Sequence, residues 1–304
     1  TDNASFGIFS LRFNTTGGAN AGFGGYSLTN NTTGTGNTAV GMQALQANTT
    51  ASNNTAIGYQ SLSSNTTGNQ NVAIGATALP SNTTGEYNTA TGVYSLYGNT
   101  TGSQNSAFGR STLVVNTTGG NLTAIGYGAL YNNTTASDNT AIGYNAGTSN
   151  TTGANNVAVG TTALANNTTA SNNTAVGYQA GYSIVTLPEN TYVGTQAGYS
   201  ATAGYNTALG YKAGYAITTG DGNTALGRLS MSTGSGVTGG SNTAIGNEAI
   251  SESVPGSNNT GIGSRALMYT SGTGNTSVGT NALINSTSGN NNTAIGINAF
   301  STNS

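Results

Sequence analysis

The chain has 304 residues, 48 of them glycine, with no cysteine or histidine, 4% charged side chains and a net charge of −2. These figures exclude disulfides, zinc sites built from Cys and His, Ser-His-Asp or Cys-His catalysis, and the basic footprint of a nucleic-acid binder. The apolar fraction of 35% is low, yet Thr, Val and Ile recur in register. That separates the chain from disordered sequences, which combine high net charge with few β-branched residues.

The register is set by eighteen glycines. From Gly7 to Gly194 each step is 17 residues; Gly210, Gly227, Gly246, Gly263, Gly279 and Gly296 follow at steps of 16, 17, 19, 17, 16 and 17. A fixed short period over a whole chain is the mark of a repeat architecture. With the glycine as position 0, each repeat reads close to Asn-Thr-Ala-Ile-Gly-Tyr-x-Ala-Leu-x-x-Asn-Thr-Thr-Gly, as in Asn54–Gly68.

The first element in each repeat is a strand before the glycine. Position −4 is Asn in seventeen of eighteen repeats (Asn54, Asn71, Asn139), with Leu122 the exception and Asn121 one place early. Position −3 is mostly Thr, −2 is small except at Tyr192, and −1 is Ile, Val, Leu or Phe except at Thr91. Such β-branched content suits a pleated strand. The glycine itself (Gly58, Gly75, Gly143) predicts a turn or bulge with positive φ or close backbone approach.

A second strand is expected after the glycine. Position +3 is Ala, Ser or Thr throughout; +4 is Leu in eleven repeats and Met231, Ile250 or Phe300 in three more. In four repeats it is Gly147, Gly181, Gly198 or Gly214, and after the last three Tyr182, Tyr199 and Tyr215 follow at once, as if to fill the space the leucine leaves. Position +7 is Asn in the first ten repeats and opens the Asn-Thr-Thr-Gly segment. Asn favours turns, so each coil has two corners, and stacked Asn side chains form amide ladders.

The rare residues agree with this assignment. All twelve charges fall at −6, −5, +1, +2, +5 or +6, and Pro80, Pro188 and Pro255 stay outside −4 to +4. The interior is therefore expected at −2, −1, +3 and +4. The candidate core and assembly residues are Ile57, Leu62, Ile74, Leu79, Ile125, Leu130, Ile142, Val159, Leu164, Ile245 and Ile295. Because neighbouring strand residues face opposite ways, the columns form a small pair (−2, +3) and a large pair (−1, +4), and a narrow coil buries one pair and leaves the other as an apolar stripe. A soluble monomer seldom exposes a patch beyond a few hundred Å², so the stripe predicts side-by-side association. The other reading is a wider coil that holds both pairs.

The motif Asn54-Thr55-Ala56-Ile57-Gly58-Tyr59-Gln60-Ser61, repeated at Asn292–Ala299, resembles the head repeats of trimeric autotransporter adhesins of the YadA type. It is also similar to repeats in phage and bacterial tail-fibre-like proteins. The resemblance spans essentially the whole chain and implies a left-handed parallel β-roll with three chains around an axis. The period is longer than in those head repeats, the excess lying in the Asn-Thr-Thr-Gly segment.

The fold expected is all-β: one continuous parallel β-solenoid over 1–304, regular over 1–180 and with irregular connectors over 181–304, about eighteen coils in a side-by-side homotrimer. At ~4.8 Å per strand that is a rod roughly 85 Å long. The function expected is structural and adhesive, a rod-like segment of an extracellular, cell-surface or virion-attached fibre meeting a surface glycan or protein receptor. A phage tail-fibre shaft is the alternative. The chain starts and stops in mid-repeat, which points to an excerpt or to end-to-end stacking into a filament. Catalysis, cofactors, metals, nucleic acid and membrane insertion are not expected, since the acids are scattered, Glu248 and Glu252 being the nearest pair. Asn-x-Thr sequons at Asn48, Asn65, Asn82, Asn99, Asn116, Asn133 and Asn167 are glycan candidates, against a purely turn-forming role. Tyrosines such as Tyr59, Tyr127, Tyr144, Tyr178 and Tyr211 serve either coil packing or stacking on sugars. Ice binding through the −3 threonines is a remote reading, weakened where Val72, Ser106 and Val157 interrupt the column.

Overall fold

The computed structural model describes residues 2–234 and 236–303. The chain divides into two compact units, Thr1–Ala154 and Asn155–Ser304, and each is a parallel β-solenoid. Three-residue strands occupy −3 to −1 of every repeat, from Ala4–Phe6 to Thr140–Ile142 in the first unit and from Val157–Val159 to Thr293–Ile295 in the second. Among the described residues there is no helix.

Within each unit a strand pairs in parallel with the next one along the chain, like residue over like. Thr55, Ala56 and Ile57 lie opposite Val72, Ala73 and Ile74. The register survives the irregular steps: Val193 lies opposite Leu209 and Leu226 opposite Ile245. The longest step places its extra residues between Met231 and Val237, and Val237 then bridges to Ile217.

The segment after the glycine is not a strand. Positions +2 and +4 have left-handed backbone, as at Gln60 (φ 53°) and Leu62 (φ 51°). Two successive turns result, with the Ser61 N–H donating to Gly58 O at 3.3 Å and the Asn65 N–H to Leu62 O at 3.3 Å. Peptide groups between them still point along the stack: the Gln60 N–H donates to Met42 O (3.0 Å) in the coil before, and the Leu62 N–H to Ala78 O (3.0 Å) in the coil after. The left-handed residues remove the alternation of a strand, so +3 and +4 both turn inward.

This changes the expected interior. Ala56 at −2, Ser61 at +3 and Leu62 at +4 are all fully buried, whereas Ile57 at −1 is 39% exposed. The core therefore consists of two small columns and the leucine column, with the −1 column outside. Small residues are required at −2 because that position faces +3 and +4. A Cβ on Gly22 would sit 2.5 Å from Ser10 Oγ and 3.6 Å from Leu11 Cγ. The positive φ predicted for the marker glycines is present, at 135° for Gly58, 131° for Gly75 and 135° for Gly143. Close approach adds to it, since a Cβ on Gly41 would lie 2.5 Å from Gly58 O in the next coil.

Both asparagine columns are buried ladders rather than left-handed corners. In the first unit the Asn48 Nδ2 donates to Asn31 Oδ1 (2.8 Å) and Asn65 Nδ2 to Asn48 Oδ1 (3.1 Å), and this +7 ladder runs on to Asn150. At −4 the side-chain oxygen instead accepts the backbone N–H of the next coil, as Asn37 Oδ1 does from Asn54 N (3.0 Å). The two columns meet on one carbonyl: Gly68 O accepts from Asn54 Nδ2 (3.0 Å) and from Asn65 Nδ2 (2.9 Å). Left-handed φ sits one residue earlier, at −5, as in Asn53 (φ 59°) and Gln70 (φ 57°).

Leucine's place at +4 is not refilled by the tyrosine that follows. Tyr182, Tyr199 and Tyr215 are half-exposed. A Cβ on Gly181 would touch Leu164, Tyr192 and Ile184, and one on Gly214 would touch Ile217. The space is filled by Tyr192 from −2 and by Ile184 and Ile217 from +7, all three buried.

Candidate assembly surface

The outer face of each strand carries −3 and −1, since −2 points inward. Its −1 file runs through Val40, Ile57, Ile74, Thr91, Phe108, Ile125 and Ile142 in successive coils of the first unit. In the second unit it runs from Val159 through Leu209, Leu226 and Ile245 to Ile262 and beyond. Stacking shields each side chain from above and below, so the interior members are more than half covered; the remainder faces outward, 37% of Ile142 and 40% of Leu226. Beside this file, the −3 threonines are half-buried in most coils and the +1 tyrosines are exposed, Tyr59 at 49%.

The predicted core and assembly residues thus separate into two sets. Leu62, Leu79, Leu130 and Leu164 are interior. Ile57, Ile74, Ile125, Ile142 and Ile295 are exposed, with Val159 and Ile245 half-exposed. The expectation that the two large columns share one fate is wrong, because only +4 has the left-handed backbone that turns it in.

The sequons at Asn48, Asn65, Asn82, Asn99, Asn116, Asn133 and Asn167 also fail as glycan sites in the folded chain, because all seven asparagines are buried. Asn65 shows why: its Nδ2, the atom a glycan would occupy, donates to Asn48 Oδ1 and Gly68 O. Asn54, Asn71 and Asn139, assigned to turns, are likewise buried in the ladder column. Leu122 replaces one of them as a buried apolar residue; its N–H still reaches Asn105 Oδ1 (3.1 Å), while Asn121 bonds Asp138 at the surface.

Tyr59, Tyr127, Tyr144, Tyr178 and Tyr211 all lie on the surface. Tyr127 stacks on Tyr144 one coil away, centroids 5.6 Å apart, with Arg110 over the outer ring at 5.9 Å. None of the twelve charged side chains is buried. Glu248 is clasped between Arg228 (3.1 Å) and Arg265 (3.0 Å), two coils that flank its own. The Arg265 hydrogen bond, with Arg228 assisting against partial desolvation, holds the carboxyl below the usual carboxylate range. This is a cross-coil clasp, and Glu252 stands apart and exposed. Among the described residues no cluster of three or more His, Cys, Asp or Glu could hold a metal ion, and no helix is long and apolar enough to cross a membrane.

Sequence reasoning missed the left-handed +2 and +4 backbone. One signal for it was present: glycine substitutes for leucine at +4 in four repeats, an exchange that makes sense where positive φ is required. Compared with known proteins, the chain matches no family model and no curated protein.

Proposed function

We propose that the chain is a structural and adhesive protein, a fibre-forming segment on a cell or virion surface, whose copies associate side by side as a homotrimer through the −1 face. The observation that carries this reading is the file of mostly aliphatic side chains at −1 kept outside the coil while the columns at −2, +3 and +4 are buried. Water-exposed Ile and Val in successive coils are costly at about 25 cal/mol per Å², and a second copy of the same face offers matching spacing along the stack. The resemblance to trimeric adhesin heads supports three chains. On this reading the outer +1, +2 and −5 side chains meet the receptor, a surface glycan or protein. A tail-fibre shaft uses the same assembly, and ice binding competes with it, since the −3 threonines share the face that association covers.

Light-scattering mass of the purified chain tests the assembly, with three chains expected; a monomer at micromolar concentration refutes it. Because Ile142 is 37% exposed, Ile142→Asp should yield a folded monomer with unchanged circular dichroism. Tyr144→Ala should keep the assembled mass.

A further inference from the structure

In the second unit Tyr182, Tyr199 and Tyr215 form one column on consecutive coils. Each neighbouring pair has centroids 5.2 Å apart and planes within 9° of parallel. Backbone bonds beside them hold the register, with the Ser183 N–H donating to Tyr199 O (3.0 Å) and the Ser200 N–H to Tyr215 O (2.8 Å). All three rings are half-exposed, so a diffusible oxidant reaches their edges. These coils are among those that lack the +7 amide ladder: Ile184, Ala201 and Ile217 stand in the asparagine's place.

We propose that this column is an oxidative cross-linking site, where hydrogen peroxide acting through a haem peroxidase joins neighbouring rings as dityrosine. Each of two phenols gives up one electron and its hydroxyl proton, forming two phenoxyl radicals. An ortho carbon of one ring bonds to an ortho carbon of the next, and each ring regains aromaticity by moving its ortho proton to oxygen. Two tyrosines thus lose two electrons and two protons, which reduce one peroxide to two waters. Half-exposed rings have the freedom to tilt into bonding distance, and the backbone hydrogen bonds beside them keep the correct partner in place. The product is a covalent staple between coils that lack the amide one.

The test oxidises dilute protein, mixed from ¹⁵N-labelled and unlabelled chains, with peroxide and peroxidase, and maps cross-linked peptides by mass spectrometry. The expected products join Tyr182 to Tyr199 or Tyr199 to Tyr215 within one isotopic chain, each two hydrogens lighter than its parts. Tyr199→Phe should abolish both while the Tyr127–Tyr144 product persists, showing that the oxidant worked. Tyr205 is 58% exposed but has no ring contact among the described residues. Cross-links that follow exposure and favour Tyr205, links only between isotopically different chains, or an unchanged yield in Tyr199→Phe would each overturn the proposal.

Discussion

Leu62 combines two features that normally exclude one another, a fully buried large side chain and a left-handed backbone with φ 51°. The strain of such a conformation is about 1–2 kcal/mol, and burying the side chain returns about 1.5–3 kcal/mol. The balance explains why position +4 holds either a large apolar residue or glycine and avoids alanine, which keeps the strain and loses the contact. Gly147, Gly181, Gly198 and Gly214 hold the same backbone, φ 58–61°. Leu62→Ala should therefore destabilise by about 2–5 kcal/mol, and Leu62→Gly by no more than Leu62→Ala, the reverse of the usual order, measured by denaturant titration. The substitution pattern at +4 was visible in the sequence; its meaning was not, because a missing side chain and a required φ leave the same trace.

At the scale of the coil, the asparagines close the loop and set its rise. Asn65 makes three side-chain bonds, giving Nδ2 to Asn48 and Gly68 and accepting from Asn82 (2.9 Å). At about 1 kcal/mol net for each, Asn65→Ala should cost about 3 kcal/mol in thermal or urea melts. Asn65→Asp should cost more, since its buried carboxylate would face the Asn48 oxygen without a proton to give. Tyr192 marks where the second unit changes its filling: its hydroxyl donates to Asn190 Oδ1 at 3.1 Å. Burial pushes the phenol well above the ordinary tyrosine range, against a smaller lowering from the Asn206 hydrogen bond. A raised folded value means that the unfolded chain ionises first, so stability is intact below the ordinary tyrosine value of 10.0 and falls as pH rises beyond it. Melts through the alkaline range should show that loss, and Tyr192→Phe should flatten it. Both columns of asparagine were legible as ladders from their spacing. Their burial was not, because Asn also favours exposed turns.

At the scale of the molecule, the proposed assembly would rest on apolar contact and owe little to charge. With 4% charged residues and, among the described residues, a single Arg228–Glu248–Arg265 clasp on the surface, screening has little to act on. The assembled mass should stay constant from low to molar sodium chloride, whereas Ile142→Asp should abolish it. From the sequence alone came the repeat, the strand before each glycine, the glycine's positive φ, the small columns at −2 and +3 and the exclusion of charge from the interior. These follow from composition and period, which act on every coil alike. Only the folded structure decided which large column is inside. Side-chain direction depends on the backbone of each residue, and two left-handed residues after the glycine cancel the alternation that places −1 and +4 together. The leucines consequently became the core, and the isoleucines and valines before the glycine became the outer face.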